Sequence, residues 1–221
     1  MIRRMFDRIT GLTLHPAATF AEIVRAPRFL EACLLPTLLS TVLFALPMLF
    51  AAHRAGMVRL LGNAQGLEDF VDAIALLFQI LVILTPLIAI PLTAVCLIPM
   101  LRAMRGAAPF RPLLAVTAYA TLPPAVGIFV TAFVVMLLRA PANLTLESLD
   151  PLNLGLIIPA TFSAALHNIA STIELFSAWS VVLLSHGVAA ASGLSFWRIF
   201  LAISVPLILF AWTLAALAAM L

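Results

Sequence analysis

The chain has 221 residues, of which 64% are apolar and 10% charged, with a formal net charge of +3 and a mean hydropathy of +1.20. Ordinary globular domains hold about 45–50% apolar and about 25% charged residues, so a water-soluble core cannot absorb this composition. The small, thinly spread positive charge argues against a nucleic-acid partner.

Residues 1–28 lack the apolar run ahead of a small-residue cleavage site that marks a signal peptide. They are expected as short interfacial amphipathic helices. At 100° per residue, Ile2, Met5, Phe6 and Ile9 share one face and Arg3, Arg4, Asp7 and Arg8 the opposite one. Phe20, Ile23 and Val24 form a second apolar face against Glu22 and Arg25. Pro16 suits the first turn of the second helix, and Pro27 stops it. Packing as a cap on the bundle is the plainer alternative to a lipid-sensing role.

Residues 29–221 are expected as one membrane domain, because a spanning helix needs about 20 apolar residues to satisfy its backbone inside lipid. Five stretches qualify: Ala32 to Ala52, Ala73 to Leu101, Leu113 to Leu138, Leu154 to Ser185 and Ile199 to Leu221. The fold class is therefore all-α, a polytopic membrane helix bundle of about five transmembrane helices. The second and fourth stretches exceed a bilayer's need, and Pro86, Pro91, Pro99 and Pro159 suggest kinks. Splitting the fourth is the main alternative. Thr85-Pro86 could mark a hinge in the second.

Twelve basic residues, all arginine, set the expected orientation. Arg3, Arg4, Arg8, Arg25, Arg28, Arg102, Arg105, Arg111 and Arg198 fall on one side of a five-span bundle, and only Arg54, Arg59 and Arg139 on the other. Positive residues stay in the cytoplasm, which puts the N-terminus inside and the C-terminus outside. Trp197 beside Arg198 reads as an interface anchor and Trp179 as a packing residue.

Several segments follow one pattern: His15-Pro16 ahead of Thr19-Phe20, a first span preceded by Pro27 and containing Pro36, Phe110-Arg111-Pro112-Leu113-Leu114, and Ala118-Tyr119-Ala120-Thr121-Leu122-Pro123. Asp150-Pro151-Leu152-Asn153-Leu154-Gly155 and Glu174-Leu175-Phe176-Ser177-Ala178-Trp179 follow, with Gly187 ending that span. In this order and spacing the chain, over roughly residues 12 to 221, resembles the bacterial branch of the Yip family, the Rab/Ypt-interacting membrane proteins. The resemblance implies five helices and a cytosolic N-terminus. Its eukaryotic relatives are linked to vesicle traffic, Rab-type GTPases and membrane shaping. The short lead-in before the domain argues against GTPase binding, and Glu174 stands where the family pattern has Asp.

Chemistry-bearing motifs are scarce. There is no His-Glu-x-x-His, Cys-x-x-Cys, Gly-x-Ser-x-Gly or phosphate-cradling glycine loop, so no catalytic residue, cofactor or metal site is expected. Cys33 and Cys96 read as two free, inert thiols. The informative feature is a polar stripe in the fourth stretch, where Ser163, His167, Ser171, Glu174 and Ser185 fall within about 80° of one another on a helical projection. His167 and Glu174 are about 10 Å apart along the axis, a gap that Ser171 or a water could bridge. An ionisable group in a span faces the bundle interior or a wet cavity. Two readings follow. Glu174 is a neutral packing group bonded to a hydroxyl such as Tyr119 or Thr121, or it is a proton- or cation-handling group with His167 as the second titrating side chain.

The expected function is that of a non-enzymatic inner-membrane organiser of membrane or partner proteins. The runner-up is a small transporter or channel for protons, cations or small polar solutes. The lipid bilayer is the first expected partner. Small-residue runs such as Ala189-Ala190-Ala191 and Ala215-Ala216 would permit homo-oligomers or contacts with other membrane proteins.

Overall fold

The computed structural model describes residues 2–28, 68–127 and 174–218, with Val58 and Val130 besides. Every regular element among the described residues is a helix: α1 (Ile2–Leu14), α2 (Pro16–Arg25), α3 (Glu68–Ala103), α4 (Phe110–Ala120), α5 (Leu175–Ser192) and α6 (Phe196–Ala218). The first expected span, and parts of the third and fourth, lie outside the described residues.

The long apolar helices carry the membrane character. Leu84–Ala103 within α3, and α5, are each long and apolar enough to cross a bilayer. Leu76, Ile80, Leu84, Leu87, Ile88 and Leu92 of α3, and Leu201, Leu207, Ile208 and Phe210 of α6, are exposed. An apolar surface of that extent is untenable in water and natural in lipid. The 36 residues of α3 give a rod of about 54 Å, well beyond the hydrocarbon thickness of about 30 Å. Pro86, Pro91 and Pro99 all lie inside this helix. Next to the first of them, the Thr85 hydroxyl donates to the Leu81 carbonyl of its own helix at 2.7 Å.

The core sits where α1 and α2 meet α4 and α5. Pro16 opens α2 as expected, and the apolar face of that helix enters the protein: Phe20 and Ile23 are fully buried in one cluster with Leu113, Val116, Tyr119, Leu183 and Val188. Leu97 and Leu101 of α3 and Ile199 of α6 join it. Gly187 is a point of close approach. It does not end the span, as the sequence suggested, but lies buried within α5, where a Cβ would collide with Val116 and Phe20. The helix runs on to Ser192 and closes at Gly193, whose φ of 73° is the left-handed cap conformation and whose N–H donates to the Ala189 carbonyl.

Two expected helices differ from their predicted course. The third stretch stops as α4 at Ala120, turns at Thr121, and resumes helical backbone over 122–127. Pro123 and Pro124 cause this, since neither has an N–H for the carbonyls of Tyr119 and Ala120. The fourth stretch does not run through Glu174, which is extended (φ −76°, ψ 140°) and occupies the cap position at the start of α5.

Candidate functional site

Two polar centres and one charged end stand out. The first centre ties the N-terminal hairpin to the bundle. Arg8 on α1 is only 9% exposed, although a simple wheel put it on the outer face with Arg3 and Arg4. Its Nη1 donates to the Tyr119 hydroxyl at 3.1 Å, its Nη2 pairs with Glu22 Oε1 at 3.3 Å, and its guanidinium lies 5.9 Å from the Tyr119 ring centroid. Burial works against the Arg8 charge, but the bonds to Tyr119 and Glu22 outweigh it and hold the pKa above its ordinary value. Glu22 is 67% exposed, so solvent screens the ion pair. The buried tyrosine is the decisive partner.

The second centre lies along α5. Pro124 leaves the Ala120 carbonyl without its helical donor, and the Ser180 hydroxyl of α5 supplies one at 2.6 Å. Earlier on the same element, Glu174 lies half-buried at the start of α5, where Ser177 donates to its Oε2 at 2.8 Å. A carboxylate there also meets the positive end of the helix dipole.

These contacts redistribute the residues singled out in the sequence. Tyr119 and Glu174 are not hydrogen-bonded to each other, because Tyr119 serves Arg8 and Glu174 receives Ser177. Thr121 bonds instead to the Ala118 carbonyl. Ser185 is buried and returns its hydroxyl to Val181 one turn back. Ser163, His167, Ser171 and Cys33 lie outside the described residues. Among the described residues no three histidine, cysteine or acidic side chains gather as a metal site would require. Cys96 is a free thiol exposed on α3.

Arg8 escaped the sequence reading, yet a signal was present. It lies one turn before Leu12, which is buried, and residues four apart share a helix face. Pro124 likewise announces a carbonyl in need of a donor, although nothing local identifies that donor as Ser180.

The charged end is formed by two turns, 104–109 between α3 and α4 and 193–195 between α5 and α6. They touch: a Cβ on Gly106 would lie 2.6 Å from Leu194 Cδ1. His186 stacks on Phe196 with centroids 4.2 Å apart, fastening α5 to α6 beside the same turn. Trp197 (68% exposed) and Phe110 (41% exposed) project outward. Arg102, Arg105, Arg111 and Arg198 are exposed around them, and neither turn contains an acidic residue. Arg105 has a φ of 59°. The Gly106 N–H donates to Leu101 and the Arg105 N–H to Arg102, so α3 ends in a Schellman cap with Arg105 at the left-handed position. A side chain there costs about 1–2 kcal/mol relative to a right-handed residue. At the equivalent position α5 has Gly193.

An all-α bundle with lipid-facing apolar helices and no assembled metal centre among its described residues is the frame of a membrane protein held together by helix-to-helix polar ties. The family model described as "Yip1 domain" matches residues 10–217. The chain belongs to the Yip1 domain family and is a membrane protein of that family. Comparison with curated proteins and with solved structures finds no match.

Proposed function

We propose that this protein is a non-enzymatic organiser of membrane or partner proteins in a bacterial inner membrane, a five-span bundle with its N-terminus inside and its C-terminus outside. The observation that carries the reading is the Arg8–Tyr119 bond. It commits a buried charged group to fastening an N-terminal hairpin, as a scaffold requires. Residues 1–28 then lie along the cytoplasmic leaflet with Phe20 and Ile23 turned into the bundle. The nine-to-three arginine distribution supports the orientation. Homo-oligomers or other membrane proteins are the partners such a bundle would organise.

The second reading is a small transporter or channel along the polar face of the fourth stretch, with Glu174, His167, Ser171 and Ser163 as its groups. It is favoured by one observation: a half-buried carboxylate at the start of a helix within an apolar stretch, a placement of the kind seen where transporters position charged groups at helix ends. Proton and cation flux into liposomes containing the purified protein decides between the two. The organiser reading expects no flux above empty liposomes, and Glu174→Gln without effect. Flux that Glu174→Gln removes at unchanged thermal stability would overturn it in favour of transport, because an amide cannot release a proton in that range.

A further inference from the structure

We infer that the paired turns 104–109 and 193–195 form a docking site for the phosphate headgroup of an anionic phospholipid, with Arg105 as its central contact. The inference rests on the membrane placement of the chain and is independent of whether the bundle organises or transports.

General topology signals explain why arginine collects on one side of a membrane protein. They do not explain arginine at this particular position. The turn between α3 and α4 is Met104-Arg105-Gly106-Ala107-Ala108-Pro109, and Arg105 is its left-handed residue. The exposed Ala107 two residues on would hold the same charge without left-handed strain, and Gly193 shows the unstrained solution to the same capping problem in the same molecule. Strain of this kind persists where a function requires the side chain.

What surrounds Arg105 indicates the ligand. The Gly106–Leu194 contact holds the two turns together, so Arg102, Arg111 and Arg198 share one end of the bundle with it and no acidic side chain in either turn neutralises them. A guanidinium recognises phosphate oxygens through its planar fork of donors. Trp197, exposed and set edge-on to Phe196, has the amphipathic ring that settles at headgroup depth. Positive charge, an interfacial tryptophan and the ends of membrane helices coincide, and a lipid headgroup is the anion found at that depth.

The test uses the full chain purified in a neutral detergent, with binding of phosphatidylglycerol and of phosphatidylcholine followed by native mass spectrometry and by thermal unfolding. The wild type is expected to retain and be stabilised by phosphatidylglycerol over phosphatidylcholine. Arg105→Gly is expected to bind phosphatidylglycerol about fivefold more weakly, the loss of one basic contact near the surface, while melting no lower than the wild type without lipid. Adding Ala107→Arg to Arg105→Gly restores the charge but not its place, and is expected to leave binding weak. The inference is overturned if the wild type shows no anionic preference, if Arg105→Gly binds as the wild type does or melts lower without lipid, or if the relocated arginine restores full affinity. Displacement of the lipid by equimolar inorganic phosphate would also overturn it, in favour of a free-anion site.

Discussion

Tyr119 accepts a hydrogen bond from Arg8 across 111 residues of sequence, joining the first helix to the middle of the bundle. Tyr119→Phe keeps the ring and removes the acceptor, leaving a buried guanidinium short of a partner. A loss of about 1–3 kcal/mol is expected in detergent unfolding. Arg8→Met added to Tyr119→Phe is expected to recover most of that loss, since no buried charge then lacks a bond. If the double variant is no more stable than Tyr119→Phe alone, the bond is not what makes Tyr119 important.

Ser180 and Pro124 form a compensating pair at the break after α4. Ser180→Ala orphans the Ala120 carbonyl and is expected to destabilise the protein by about 1–3 kcal/mol. In a Pro124→Ala background the backbone regains an N–H, so the same serine substitution is expected to have a smaller effect. Equal effects in both backgrounds, measured as a double-mutant cycle, would show that Ser180 does not act through that carbonyl.

Gly187 has no room for a side chain. Gly187→Ala is expected to destabilise by about 1–3 kcal/mol through overpacking against Val116 and Phe20. Val116→Ala, which removes the nearer obstacle, is expected to relieve part of the effect. Thermal melts of the two single variants and the double variant check this, and an additive outcome argues against the contact.

Orientation can be read from fusions. With the N-terminus inside and the C-terminus outside, alkaline phosphatase attached to the C-terminus is expected to be active and a cytoplasm-dependent fluorescent protein at the same end dark. The opposite pair of results would put the C-terminus inside and overturn this topology.

Apolar length was the legible part of the fold. The stretch Ala73 to Leu101 emerges as α3 (Glu68–Ala103), and the last stretch, from Ile199, as α6 (Phe196–Ala218). Ends and breaks were less legible, because lone polar residues mislead near protein contacts. Ser185 looks like the tail of a span, yet its hydroxyl bonds its own helix one turn back at Val181, and α5 continues past it to Ser192. Glu174 looked like a mid-helix acid and is a cap, a difference of backbone angle that side-chain periodicity does not encode. Of the candidate site, Tyr119 was noticed without its partner. The bond to Arg8 depends on how a distant hairpin docks, and no local pattern reports that.

The docked hairpin also constrains the order of assembly. Helices α1 and α2 leave the ribosome first, but the groove that receives Phe20 is made by Val116 and Gly187, which are translated much later. At about 5–20 residues per second, the hairpin must wait on the order of ten seconds for its binding groove. Completion of α5 is therefore the step at which the apolar face of the hairpin first meets both walls of its groove.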